Sequence, residues 1–449
     1  MNLRYMKLCV GGLAAIVAAL CGPAAQAEPN AYGCSALDAA SALPSVQGLD
    51  GVFYRVLADL RMRHPMQDAV MTQMAALSAA LETNGTTLIY VTVPTKSQAM
   101  PQFLPPIAHD YAFDSATATL VYDDIIDRLT AHGVLAPNIL EALAAAPSSI
   151  RPFFQADFHW TADGARLAAK AIGDVMKAQP FYSDLPVSEY TTIELAPTAA
   201  FSTMRRTLQG LCIDELPRVQ AVVYQTEVVA GPDAGVSDIF AGGDDAVQAV
   251  QAVLVGTSFS DSYLANFRGF LSEFSGIDVV NYAVTGGNQF GAMTSYLTSH
   301  DFTENPPRFL IWENPIYSNL AQYGPDAMDE LVAAAGRTCT TPLTVTPSDA
   351  RSLTADLTSV TIGKDDVIFA DLGTGGPREA LFTLTTASGI TRTALMKRSD
   401  RMAASGRFFK PMASFWHSDP TTLTVTFDRP VKDTSTLTVC PSSRKDASQ

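Results

Sequence analysis

The sequence predicts an α/β protein, a parallel-sheet domain followed by a β-sandwich. Short apolar or β-branched runs at Thr86 to Val93 (TTLIYVTV), Val250 to Val255 (VQAVLV), Asp278 to Val284 (DVVNYAV) and Arg308 to Trp312 (RFLIW) are separated by stretches of helical apolar spacing. That alternation is the pattern of βα units. After Gly336 the composition turns to Thr, Ser and Val in short alternating runs such as Leu423 to Phe427 (LTVTF), which reads as a sandwich of about a hundred residues.

Taken in order, the chain opens with Arg4 and Lys7, an apolar run from Leu8 to Leu20, and Ala25-Gln26-Ala27. This is the layout of a secretory signal peptide over 1–27 with an A-x-A cleavage site, so the mature chain is expected to start at Glu28. Cys21 raises a lipoprotein alternative, but Leu20 before it is bulkier than lipid attachment usually accepts. No later run reaches the ~20 apolar residues that cross a bilayer. An exported, periplasmic protein without its own anchor is expected.

The 449 residues suffice for two domains with substantial cores. The formal charge is -15, and the first 27 residues carry two positive and no negative charges, so the remainder is nearer -17. Such a surface disfavours nucleic acid and anionic membranes. A polyanionic polysaccharide would be repelled too, unless basic residues gather locally. Four cysteines follow the signal: Cys34, Cys212, Cys339 and Cys440. An even number in an oxidising compartment favours two disulfides. Spacing suggests Cys34 with Cys212 and Cys339 with Cys440, while three pairings remain open on sequence alone.

Asp50 to Leu81 shows helical spacing, and Pro94-Thr95-Lys96 ends the first strand. Helices are predicted over Asp123 to His132, Asn138 to Ala145, and Thr161 to Ala178, the last with Thr161 as its cap. Between Phe181 and Gly243, prolines 186, 197, 217 and 232 interrupt short β-rich runs, so 181–243 reads as an insertion. A helix from Pro325 to Ala335 closes the α/β domain, expected to span 28–338. The sandwich is expected over 339–441, with a tail from 442 to 449.

Two stretches carry chemistry. Asp157-Phe158-His159-Trp160 offers an acid and a base, and Gly256-Thr257-Ser258-Phe259-Ser260 offers a hydroxyl just after a strand. A serine hydroxyl becomes a useful nucleophile when an imidazole takes its proton and a carboxylate fixes the imidazole tautomer. Ser258, His159 and Asp157 are therefore the candidate catalytic residues. Each stretch alone is commonplace, since Ser-Phe-Ser can follow any strand and Asp-x-His is more often a turn. Further blocks change the weighing. Asn281-Tyr282-Ala283-Val284-Thr285-Gly286 and Trp312-Glu313-Asn314-Pro315 resemble the second and third blocks of the SGNH hydrolase superfamily.

In SGNH hydrolases the Asp/His block follows the serine, whereas here it precedes it. With D-x-H-W, G-T-S-[FY]-S, V-N-Y-A-x-x-G, I-W-E-x-P and V-P-T-K at Val93 to Lys96, the chain resembles the circularly permuted alginate O-acetyltransferase family of periplasmic proteins, the AlgX and AlgJ type. The resemblance implies an SGNH-hydrolase-like domain, an oxyanion hole from Gly286, Asn314 and Ser258, the cysteine pairing suggested above, and a C-terminal carbohydrate-binding sandwich.

What it implies for function is O-acetylation of an exported polysaccharide, most readily alginate, through an acetyl-serine. The acetyl group would come from a membrane partner, and export-complex proteins would be further partners. A polysaccharide acetyl esterase or a non-catalytic binding scaffold are the alternatives. No metal or tightly held cofactor is expected, because His64, His109, His132, His300 and His417 lack ligand spacing. In the last domain Lys397, Arg398, Arg401, Arg407, Lys410 and Trp416 form a cationic, aromatic group suited to a uronate, which could equally be a solvated strand edge with one core tryptophan.

Overall fold

A computed structural model describes residues 31–229, 250–336 and 338–441. The expected signal peptide, the start at Glu28, residues 230–243 of the insertion and the tail lie outside the described residues. β1 (Ser45–Gln47) and β2 (Phe53–Arg55) pair antiparallel. The central sheet begins with β3 (Thr87–Val93). A separate ribbon of β4 (Tyr190–Ala199) and β5 (Gln220–Val228) follows, and β6 (Ala252–Val255), β7 (Val279–Asn281) and β8 (Phe309–Pro315) then rejoin β3. The sheet is parallel, in the order β3-β8-β6-β7.

Its strands are mostly apolar because both faces are covered, as a parallel sheet requires. Alternate residues go opposite ways: Val253 and Val255 join Leu77, Leu81 and Leu310 on one side. Ala252 and Leu254 join Ala165, Ile172 and Phe270 on the other. Helices Asp68–Glu82 and Asp326–Gly336 cover the first face, and Ala162–Lys177 and Phe267–Ser275 the second.

Nine strands follow: β9 (Thr341–Pro342), β10 (Val345–Asp349), β11 (Ser352–Asp356), β12 (Val367–Asp371), β13 (Glu379–Thr386), β14 (Thr391–Lys397), β15 (Arg407–Pro411), β16 (Pro420–Phe427) and β17 (Thr436–Cys440). They form two antiparallel sheets, β10-β11-β16-β13-β14 and β15-β12-β17-β9. Phe382, Leu384, Leu423 and Val425 from one sheet meet Ile368, Phe408 and Val439 from the other in a shared core, the arrangement of a β-sandwich. Disulfides join Cys34 to Cys212 and Cys339 to Cys440.

The helix expected over Asp50 to Leu81 begins only at Asp68. Its first half is β2 and irregular chain, in which Phe53, Tyr54 and Leu60 are buried. Their apolar spacing reflects burial under the site rather than a helical face, and Pro65 lies before the observed start. The helix expected from Asp123 starts earlier, at Ser115, where Asp114 caps it by accepting from the Thr117 N–H at 2.7 Å. Thr161 caps helix Ala162–Lys177 by accepting from the Gly164 N–H.

Candidate active site

β6 ends at Val255, and the chain turns at Gly256 into a short helix, Ser258–Asp261. Gly256 is required there. A Cβ would stand 2.5 Å from Glu313 Oε2 and 2.9 Å from Ser260 Oγ. Ser258 is the first residue of that helix, at the carboxyl end of its strand, where open α/β sheets gather their sites.

Ser258 Oγ lies 2.8 Å from His159 Nε2, and His159 Nδ1 lies 2.7 Å from Asp157 Oδ1. The same carboxylate oxygen accepts the His159 backbone N–H at 2.8 Å, which closes the turn that makes Asp-x-His a workable spacing. Burial works against the Asp157 charge. Hydrogen bonding and charge from His159, with a hydrogen bond from Ser202, nevertheless bring its pKa below the ordinary aspartate value. The imidazole packs against the tilted rings of Phe158, at 4.2 Å, and Phe259, at 4.9 Å. Trp160 is a packing residue whose indole N–H donates to the Phe259 carbonyl at 2.9 Å. A cavity of about 220 Å³ opens on this group, lined by Phe154, Trp160, Phe201, Phe259 and Thr285 together with Asp157, His159 and Ser258.

Three supporting side chains escaped the sequence reading as functional residues. Ser202, at the start of helix Thr203–Gln209 in the insertion, donates to Asp157 Oδ2 at 2.5 Å. Lys96, 1 % exposed, donates to the carbonyls of Phe53, Gln155 and Asp157 at 2.8, 2.7 and 3.0 Å. Burial pulls its pKa down to about 7, against the attraction of Asp59 and Asp157. Glu313, fully buried on β8, accepts from the Thr257 N–H at 2.8 Å and the Ser260 hydroxyl at 2.9 Å. Burial pushes its carboxyl up to about 7. The only signals in sequence were a lysine after V-P-T and a glutamate inside a buried strand, a residue type rarely buried without a partner.

Gly286 adopts a left-handed φ of +76°, and no hydrogen bond among the described residues engages its amide. Asn314, the side-chain donor expected for the oxyanion hole, lies at the end of β8. It is completely buried, and its Nδ2 donates to the Gln289 carbonyl at 3.4 Å.

The six cationic and aromatic candidates of the last domain do not form one exposed group. Arg398 is buried and grips Glu330 of helix Asp326–Gly336 with both terminal nitrogens. Lys410, 1 % exposed, pairs with Asp326 at 2.6 Å. Arg407 lies against Asp371 and donates to the Ser299 carbonyl at 3.0 Å. These three are spent where the sandwich packs on the α/β unit. Lys397 pairs with Glu379 on the surface at 2.5 Å, and Trp416 packs half-buried against the sandwich core. Arg401 is exposed, and its Nε would lie 3.8 Å from a Cβ placed on Gly286, so of the six it is the one beside the cavity.

A larger cavity of about 680 Å³ has Asp123, Asp127 and Glu141 among its lining residues and contains none of the three candidate catalytic residues.

With this geometry in place, residues 34–316 match the family model described as "SGNH hydrolase-like domain, acetyltransferase AlgX". The chain belongs to this family. It is 31 % identical over 277 residues to "Alginate biosynthesis protein AlgX" of Pseudomonas aeruginosa, covering 62 % of this chain and 56 % of that protein. It is 32 % identical over 262 residues to "Probable alginate O-acetylase AlgJ" of Pseudomonas syringae pv. tomato, covering 56 % of this chain and 64 % of that one. The chain thus spans little more than half the length of the curated AlgX relatives in these matches. Among solved structures, Pseudomonas aeruginosa AlgX superposes with a TM-score of 0.73 at 23 % identity, over 89 % of this chain and 94 % of that one. The O-acetyltransferase domain of Pseudomonas putida AlgJ gives 0.50 at 20 % identity, over 64 % and 98 %. These superpositions establish a shared fold.

Proposed function

We propose that this protein is a periplasmic O-acetyltransferase that moves acetyl groups onto hydroxyls of an exported polysaccharide, with alginate and its mannuronate residues as substrate. One observation carries the reading: the unbroken hydrogen-bonded line from Ser258 through His159 to Asp157 at the floor of an open cavity. Among the described residues no helix is long and apolar enough to cross a membrane, and no cluster of His, Cys, Asp or Glu is suited to a metal ion. The proposed division is an acetyltransferase unit over 28–338 and a carbohydrate-binding sandwich over 339–441.

In the first step His159 Nε2 takes the Ser258 proton while Oγ bonds to the acetyl carbonyl carbon. The carbonyl oxygen becomes an oxyanion, met by the Ser258 and Gly286 N–H groups. Fixed donors of this kind are each worth roughly 3 kcal/mol. The bond to the donor oxygen breaks, His159 returns its proton to that leaving oxygen, and acetyl-serine remains. A sugar hydroxyl then gives its proton to His159 and attacks the ester, and Ser258 recovers the proton as it leaves. Asp157 holds the imidazole tautomer in both halves. A membrane acetyl carrier as donor, and export-complex partners, complete the proposal.

Incubation of the full chain with an activated acetyl ester and mannuronate oligosaccharides tests it. Gain of one acetyl mass on the sugar, lost in Ser258→Ala, is expected. Release of acetate with no sugar product identifies an esterase instead, and sugar binding with neither sugar acetylation nor acetate release identifies a scaffold.

A further inference from the structure

The insertion does more than brace Asp157. Phe201 lines the same cavity as Ser258 and His159, yet it is 75 % exposed, a large apolar ring left at the mouth of a polar site. The Arg206 guanidinium lies over that ring, 5.0 Å from its centroid. Arg206 is itself exposed, and among the described residues no carboxylate pairs with it. Its neighbour Arg205 is committed by contrast: it donates to the Leu216 and Pro217 carbonyls and pairs with Glu215. In a chain of formal charge -15, an unpaired arginine stacked on an exposed ring beside the nucleophile calls for a ligand with both an apolar face and a negative charge.

We propose that Phe201 and Arg206 form an acceptor subsite for a uronate residue of the polysaccharide, an inference that rests on the acyl-transfer reading and deepens it. The sugar lays its C–H face on the open side of the Phe201 ring, and its carboxylate takes the guanidinium edge. The subsite is set accurately relative to the nucleophile because the next residue, Ser202, is the one bonded to Asp157 Oδ2, and the helix after it ends at Gln209, three residues before Cys212, which is disulfide-bonded to Cys34. Across the cavity, beyond Thr285, Gly286 carries Arg401 beside it. A uronate chain lying over Ser258 therefore meets two arginines that no carboxylate pairs among the described residues, one from the insertion and one from the last domain. Tyr263, 74 % exposed and flanked by the lining residues Ser262 and Leu264, offers a second ring at the rim.

The test is binding rather than turnover, made on the full chain carrying Ser258→Ala. Mannuronate oligosaccharides and cello-oligosaccharides of equal length are titrated calorimetrically at two salt concentrations. Adding Arg206→Gln is expected to weaken uronate binding ~10-fold, as loss of a charge-assisted hydrogen bond does. It should also reduce the salt dependence and leave the neutral sugar unaffected. Phe201→Ala is expected to weaken uronate binding by a similar ~10-fold, with Phe201→Tyr restoring it. The proposal is overturned if the parent binds no uronate, if neither variant changes its affinity, or if Arg206→Gln weakens neutral and uronate chains alike. Acyl transfer is read separately on Ser258-containing protein, so uronate binding without transfer sinks the reading above and leaves the subsite standing.

Discussion

The proposed nucleophile and its proposed acid–base pair are held by opposite means. The turn bearing Ser258 is fixed from inside the sheet, where Glu313 on the adjacent β8 takes the Thr257 amide and the Ser260 hydroxyl. The loop bearing Asp157 and His159 is fixed from outside, by Lys96 beyond β3, by the β2 carbonyl of Phe53 that shares this ammonium, and by Ser202 from the insertion. The nucleophile thus depends on two neighbouring strands. The proposed general base depends on pieces gathered from three distant parts of the chain.

Substitutions can strain this contrast in turn. The largest effect belongs to the reacting groups: Ser258→Ala is expected to cost on the order of 10⁴-fold in acetyl-ester turnover, and Asp157→Asn a loss of the same order. Next is Lys96→Met, which leaves three carbonyls without their donor. The cost is roughly 2–4 kcal/mol in urea unfolding and, by letting the base loop shift, ~10²-fold in turnover. Ser202→Ala is expected to cost ~10-fold in turnover, with little loss of stability, by removing one charge-assisted hydrogen bond. If Ser202→Ala leaves turnover intact, the insertion does not hold the base.

The smallest effect on activity is expected at Glu313→Gln, whose amide can still accept from Thr257. Its signature is in pH. The folded state holds the Glu313 proton up to about 7, against 4.5 as the ordinary value. This contribution to stability is complete below the unfolded value and disappears as pH rises through 7, a change on the order of 3 kcal/mol. Unfolding curves from pH 4 to 8 should show that slope in the parent and a flatter profile in the variant. An unchanged slope would mean that the carboxyl is already ionised in the folded protein.

The catalytic candidates were readable because they sit in short local motifs at strand ends. The parallel strands were readable because burial on both faces makes them mostly apolar. Ser202 was not, since a serine between prolines looks like any loop residue until tertiary structure brings Asp157 to it. Burial misled in the other direction over Asp50 to Leu81, where Phe53 and Tyr54 mimic a helical stripe. Counting cations could not separate Arg398 and Lys410, neutralised at Glu330 and Asp326, from Arg206 and Arg401. That distinction depends on which acids the fold places within reach.

Those neutralised cations carry a practical consequence. A fragment cut at the border near Cys339 would strand the Arg398 and Lys410 charges without Glu330 and Asp326, and bare Phe409, which packs into the neighbouring unit's core. Severing the sandwich would therefore be closer to splitting an obligate dimer than to unplugging an autonomous adaptor. Exchanging the sandwich between relatives would then require transplanting helix Asp326–Gly336 along with the strands it neutralises.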